Sequence, residues 1–249
     1  MKHRFRFSGT ALSDGLHDQH WRLSEDDAFH LQKVLRLSLG ADVEVADGQG
    51  RWCIGTIVEL TNRIVLVKAH QQFEDKAPAL PLVLAIAAMK PASFEDLLPS
   101  LVELGVDKIL IFAQVHTDRK WLSEKVESRW QRIIAAAMKQ CKRAWQPELH
   151  IYKDLQSLLL SDKFETWNRY LLEPESEQVL FTSAMQPAAS LLLIGSEKGL
   201  TEIEKNQLLA HNFQPVRLGT TILRAFTASL AATAVISAKR DSLLANQRS

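Results

Sequence analysis

Cysteine is scarce. The 249 residues contain two, Cys53 and Cys141, far apart and outside any CxxC spacing. A disulfide framework is thereby excluded, and a reducing compartment is expected. His17 and His20 have no cysteine or carboxylate cluster around them at ligand spacing, so no metal site is expected. Long apolar runs are missing too. The most apolar stretch, Leu80 to Met89, is about ten residues and too short to span a bilayer. The N-terminus, Met1-Lys2-His3-Arg4-Phe5-Arg6-Phe7, is basic but has no apolar signal-peptide core. Neither charge sign is in excess: the net charge is +1, which leaves room for a basic patch balanced elsewhere. Gly-x-Gly-x-x-Gly, a Walker loop and Gly-x-Ser-x-Gly are all absent. What remains is 46% apolar and 24% charged, the make-up of an ordinary soluble globular chain, expected in the cytoplasm. The length suits one large domain or two smaller ones.

Two patterns follow one another along the chain. In residues 1–72, Arg4 to Phe7 alternates as a half-buried strand does. Ser24-Glu25-Asp26-Asp27 resembles a capping box opening a short helix through Leu35. Asp42 to Ala46 runs into Asp47-Gly48, a hairpin signal, and the strands Arg51 to Val58 and Arg63 to Val67 follow. This spacing predicts a small barrel. Gln71 to Pro81 is polar and carries two prolines, so the boundary is placed there, with a second domain over 73–249.

That second part alternates strand and helix. Strands are predicted at Leu82 to Ala87, Lys108 to Phe112 and His150 to Tyr152. Helices are predicted at Ser93 to Leu104, at Glu124 to Trp145 ended by Pro147, and at Leu155 to Leu160. Residues 163–178 give no clear pattern. The alternation implies an α/β fold with a mostly parallel sheet covered on both faces.

Two stretches organise the rest. Leu191-Leu192-Leu193-Ile194-Gly195-Ser196-Glu197-Lys198-Gly199 is an apolar strand stopping at a glycine loop, after which Thr201 and Glu204 read as a helix-opening capping box. Val216-Arg217-Leu218-Gly219-Thr220-Thr221-Ile222-Leu223-Arg224 repeats the arrangement and enters an apolar helix from Ala225 to about Lys239. Glycine lets the backbone pass close to a ligand where a Cβ would clash. One such loop is equally well an ordinary strand-to-helix turn, and the leucines suit core packing. Two at the ends of neighbouring strands would form a pocket in an open α/β sheet.

The paired loops resemble the cofactor loops of the SPOUT RNA methyltransferases and, more narrowly, the RsmE family, which methylates N3 of a uridine in small-subunit (16S) ribosomal RNA. That family reads roughly IGPEGGxxxxE and then LGxxILRxETA. Here Ser196 stands at the proline, Lys198 at the first glycine of the pair, and Phe226 at the acidic residue after the arginine. The resemblance extends to His30–Gly40 and Leu101–Val106. It implies a trefoil-knotted SPOUT domain, an N-terminal PUA-like β-barrel, S-adenosylmethionine as cofactor and a homodimer whose active site is completed across the subunit interface. It also implies cofactor contacts from Leu193, Ile194, Gly195, Glu197, Gly199, Leu218, Gly219, Ile222 and Leu223. Lys198 would then have to point away from the sulfonium or pair with an acid such as Glu197.

Arginine at the start of an apolar helix is costly to bury unless paired. Arg224 is therefore the first candidate to favour the deprotonated uracil by lying near O2 or O4. No general base is evident. Arg4, Arg6, Lys33 and Arg36 in the first domain, and Arg119 in the loop 116–120, are candidate RNA phosphate contacts. Arg132, Lys139 and Arg143 share one face of the long helix with Arg129 close by, and Gln140 and Arg143 fall where the resembling family has residues facing its active site. A solvated helix face explains such charges equally well. Two readings stay open. One is a methyltransferase; the other is a non-catalytic RNA-binding or ribosome-assembly factor in which Lys198 and Phe226 have removed turnover.

Overall fold

The computed structural model describes residues 4–12, 19–61, 64–161 and 164–246. His17 and Arg63, named above, lie outside them. The chain divides into two compact units, residues 1–77 with 135–146, and residues 78–134 with 147–249.

The first unit is a closed barrel of β1 (Arg6–Ala11), β2 (His20–Leu23), β3 (Asp42–Ala46), β4 (Arg51–Leu60) and β5 (Val65–Glu74), in the order β1-β2-β5-β4-β3. Alternating residues fill it: Phe7, Trp21, Val43, Val45, Ile57 and Val67 are buried. Cys53 lies in this core, and burial pushes its thiol up to about 12. The Asp47-Gly48 signal does turn the chain: Gly48 has φ +74° and Asp47 Oδ1 accepts from the N–H groups of Gln49 and Arg51. Helix α1 (Glu25–Lys33) is capped by Ser24, whose hydroxyl accepts from Asp27 N.

Two buried carboxylates tie residues 135–146 into this unit. Asp27, 5% exposed, accepts from Ser8 N and from Lys139 Nζ, both at 2.5 Å. Glu44 faces Arg6 across the parallel β1–β3 pair. Arg6 Nε and Nη2 both reach Glu44 Oε2 at 3.0 Å, Lys142 Nζ reaches Oε1 at 2.9 Å, and the Arg6 side chain is 4% exposed. Arg6 also donates to the Lys142 carbonyl and lies over the Trp52 ring.

In the second unit, β6 (Leu82–Ala87), β7 (Lys108–Phe112), β8 (Glu148–Tyr152), β9 (Asn168–Leu172), β10 (Ser190–Ile194) and β11 (Gln214–Val216) form one parallel sheet in the order β11-β9-β10-β6-β7-β8. Successive side chains point to opposite faces. Val83, Ala85 and Ala87 join Leu155 and Leu158 of α4 (Leu155–Ser161) in one core cluster. Leu82, Leu84 and Ile86, also buried, face the other side, and α6 (Ala225–Asn246) packs against α2 (Pro91–Glu103), β6 and β10. The two-sided covering expected of the sheet is present. Pro91 occupies the first turn of α2, where a missing N–H costs nothing, and Pro99 is carried inside the helix. Helix α5 (Glu202–Ala210) opens on the capping box that Thr201 and Glu204 announce.

Several expectations change. Helix α3 (Glu124–Gln140) ends before Trp145, because Lys142 takes φ +58° and Arg143 N bonds back to Met138 O. Strand β2 alternates but is only four residues long, and β9 opens on Asn168 and Arg169, so neither announces itself. The two glycine-loop strands are not adjacent, since β9 lies between β10 and β11.

Removing Glu44 would leave the Arg6 guanidinium buried without its carboxylate, and breaking a buried pair costs roughly 3–5 kcal/mol. Glu44→Ala is expected to lower the unfolding free energy, measured by urea titration, by an amount in that range, with Glu44→Gln intermediate. Equal stability of all three proteins would mean the pair contributes nothing.

Candidate active site

The strand ends set the site. Leu193 pairs with Leu171, and Leu172 with Val216, so β9, β10 and β11 stop at about the same level and release their loops side by side. A cavity of about 440 Å³ lies there, within the roughly 300–1,000 Å³ typical of small-molecule sites. Its walls come from all three loops, including Glu173 and Pro174 after β9. Of the sequence candidates, Ile194, Gly195, Glu197, Gly199, Leu218, Gly219, Ile222, Leu223 and Arg224 line it. Leu193 does not; it is fully buried in the core cluster beneath.

The local chemistry explains the glycines. A Cβ on Gly195 would meet Leu200 Cγ at 3.1 Å and the Gly199 carbonyl carbon at 3.2 Å, and Gly199 has φ +74°. A Cβ on Gly219 would meet nothing within 4 Å, so that face of the backbone is open. The loop 218–223 is open in a second sense. None of its backbone N–H groups finds an acceptor among the described residues. Apolar walls from Ile194, Leu218 and Leu223, together with unengaged backbone donors and acceptors, suit a flat heterocycle read at its edge, as the adenosyl part of S-adenosylmethionine requires.

The charges are unevenly committed. Glu173 holds Lys205 at 2.8 Å, and this hydrogen bond raises the Lys205 pKa above its ordinary value. Glu197 and Lys198 are exposed and form no ion pair with each other. Arg224 is exposed, and no side-chain partner holds it among the described residues. Phe226, the second residue of α6, is half-buried and off the cavity wall.

The loop 195–201 is fixed by a residue that the sequence did not single out. Gln114, just beyond β7, accepts from Ser196 N and donates to the Gly199 carbonyl and to Glu204 Oε2. Nothing in its spacing marks it. The Glu173–Lys205 pair was equally hidden, since β9 itself was unreadable.

The basic candidates scatter. Lys33 and Arg36 are exposed, and Arg36 has φ +51°. Gln140 is exposed, while Arg143 and Arg4 are half-buried. Arg6 and Lys139 hold the buried carboxylates described above, so their charges are internal to the first unit. In the second unit Arg119 donates to the Lys153 carbonyl, Arg129 pairs with Glu95, and Arg132 reaches back to Ser128 O. No group of metal-ligating side chains occurs among the described residues.

Comparison with known proteins agrees with this architecture. The sequence pattern of the RNA methyltransferase domain matches residues 75–237, and that of the RNA methyltransferase PUA domain matches residues 23–69. A ribosomal RNA small subunit methyltransferase E from Synechocystis sp. is 31% identical over 228 residues, covering 86% of this chain and 71% of that one. The protein of that name from Buchnera aphidicola (Acyrthosiphon pisum) is 24% identical, with 86% of each chain covered. Among solved structures, ribosomal RNA small subunit methyltransferase E from Neisseria gonorrhoeae, bound to S-adenosyl methionine, superposes with a TM-score of 0.84 at 26% identity, over 95% of this chain and 98% of that one. A Legionella pneumophila protein in complex with the same cofactor gives 0.82 at 26% identity, over 95% and 98%. With a PUA-like barrel followed by a SPOUT-type α/β domain, the chain belongs to the ribosomal RNA small subunit methyltransferase E family of RNA methyltransferases.

Proposed function

We propose that the chain methylates N3 of a uridine in small-subunit (16S) ribosomal RNA, using S-adenosylmethionine held in the cavity at the ends of β9, β10 and β11. The observation that carries this reading is the union of three strand-end loops around one cavity, with an unpaired arginine on its wall. When bound, the cofactor supplies an activated methyl group on sulfur. The chain's own residues do the rest. Ile194, Leu218 and Leu223 enclose the adenine, and the backbone of 218–223 reads its edge. Gly195, Glu197, Gly199, Gly219 and Ile222 complete the cofactor contacts, over a floor fixed by Leu193.

Arg224 is the catalytic residue in this reading. Uracil N3 must lose its proton as the new N–C bond forms, and the charge left behind spreads onto O2 and O4. A guanidinium beside one of those oxygens favours the anion as an oxyanion hole does. Guanidinium carries no acceptor, so Arg224 cannot take the proton, which leaves to water.

Lys33 and Arg36, both exposed, are phosphate contacts of the PUA-like domain, residues 1–72, which precedes the SPOUT domain over 73–249. Arg4, Gln140 and Arg143 are further RNA contacts of the first unit, supported from within by Arg6 and Lys139, and Arg119 is one of the second unit. The working form is a homodimer in the cytoplasm, where ribosomal RNA is found. We read the C-terminal path as the trefoil knot. Lys239 of α6 donates to the carbonyls of Leu180, Phe181 and Ser183, which holds the 179–184 segment onto that helix. Lys198 on the cavity wall favours a second reading, a cofactor-binding but turnover-deficient RNA-binding or assembly factor.

Calorimetric titration with S-adenosylmethionine should give one site per chain. Arg224→Ala should then cut methylation of small-subunit RNA roughly 10²-fold, the usual effect of losing an oxyanion donor, while cofactor affinity changes little. Equal loss of binding and turnover would make Arg224 structural, and wild-type binding without turnover on free RNA and on subunits alike would select the second reading.

Phosphate contacts carry a salt signature. Lys33→Ala and Arg36→Ala should each weaken RNA binding across sequences and reduce the slope of log affinity against log salt by about 1. An unchanged slope would remove these residues from the RNA surface.

A further inference from the structure

We propose that Gln114 is a positioning residue for the cofactor cavity. Its side-chain amide clamps the 195–201 loop and supplies, through hydrogen bonds, the restraint that a proline at position 196 would supply covalently. The inference rests on the reading of this cavity as the S-adenosylmethionine site.

The geometry uses the whole amide. Gln114 Oε1 accepts from Ser196 N at 3.3 Å, and Nε2 donates to Gly199 O at 3.1 Å and to Glu204 Oε2 at 3.0 Å. One acceptor and two donors are all that a glutamine amide provides besides spare lone pairs. Both ends of the turn are therefore held, and the turn itself is closed by Gly199 N on Ser196 O at 2.8 Å. The third bond ties the amide to the helix cap, where the same Glu204 oxygen accepts from Thr201 N at 2.8 Å and Thr201 Oγ1 at 3.0 Å. Gln114 is itself fixed by a reciprocal turn: its N–H donates to Thr117 Oγ1, and Thr117 N donates to its carbonyl, each at 2.9 Å. It sits beyond β7, two strands away from β10, so it reaches across the end of β6.

The sequence accounts for the need. Ser196 and Lys198 stand where the resembling pattern has proline and glycine. Proline fixes φ and has no N–H. Serine leaves φ free but offers the N–H that Gln114 takes up. The clamped loop matters because it is the partition between two cavities. Gly195–Leu200 wall the larger one, and Ser196–Thr201 wall a second of about 250 Å³ shared with His116, Thr117 and Trp121. Gln114 does not line the larger cavity, so its effect there passes through the loop.

Three variants of the full chain test this. At pH 8, Gln114→Ala is expected to weaken S-adenosylmethionine binding about tenfold, which is about 1.4 kcal/mol. The KM for cofactor should rise with it, while kcat at saturation falls less than about threefold, the mark of lost positioning. Adding Ser196→Pro to Gln114→Ala should restore most of the affinity. Gln114→Glu sets a carboxylate against Glu204, and two carboxylates at such a distance share a proton. Its affinity should be low at pH 8 and recover toward pH 5.5, beyond any change in the wild type at the same pH. That comparison removes the contributions of the nearby titratable groups, His116 in the same turn, Glu197 and Lys198 on the loop, and Lys205 with its partner Glu173. Wild-type affinity in Gln114→Ala, or a folded Gln114→Glu without acid recovery, would overturn the proposal. Should the wild type itself bind no cofactor, the functional reading fails and the clamp is judged by amide exchange: faster exchange at Ser196, Gly199 and Thr201 in Gln114→Ala upholds it, and unchanged protection sinks it.

Discussion

The second unit depends on the direction of its strands. Parallel hydrogen bonding makes all six run the same way, so every strand delivers its C-terminal loop to one edge. Register then fixes the loops against each other: with Leu171 opposite Leu193 and Leu172 opposite Val216, three loops open at a common height. The apolar runs follow from the same constraint, because a sheet covered on both faces needs Leu and Ile at consecutive positions. The leucines of β10 therefore do not touch the cavity. They hold still the backbone from which Gly195 and its neighbours depart.

Charge is handled differently in the two units. In the first, Arg6, Lys139 and Lys142 lie against buried or nearly buried carboxylates, which makes them part of the architecture. Around the cavity of the second, Arg224, Glu197 and Lys198 are left without such partners, while Glu173 and Lys205 neutralise each other. Those three are exposed, and the cavity leaves them in water, open to a ligand.

The sequence made the regular elements legible and the long-range polar contacts illegible. Strands β6 and β7 are legible to the residue, because β6 is an uninterrupted apolar run and β7 is one apart from its opening Lys108. Both glycine loops were visible from their approach strands, and the Thr201–Glu204 box from its spacing. Strand β9 was lost because Asn168 and Arg169 break its pattern and the fold, not the sequence, supplies its neighbours. The helical pattern runs on past the end of α3 because the left-handed Lys142 that stops it is not a glycine. Arg6 reads as a surface cation until Glu44, 38 residues on, is brought opposite it. Gln114 is the extreme case: its partners lie 82 to 90 residues away, and no local pattern can announce them.

The placement of residues 135–146 in the first unit bears on how the chain is made. On a ribosome, the barrel strands emerge by Glu74 with Arg6 already opposite Glu44, but Asp27 then waits for Lys139. Until Lys139 has been synthesised, the barrel carries one carboxylate, Asp27, poorly suited to burial. Domains generally fold as units in the order of synthesis, and here the first unit cannot close its ledger of charge until much of the second has left the tunnel. Its maturation is therefore coupled in time to a part of the chain with which it shares no sheet.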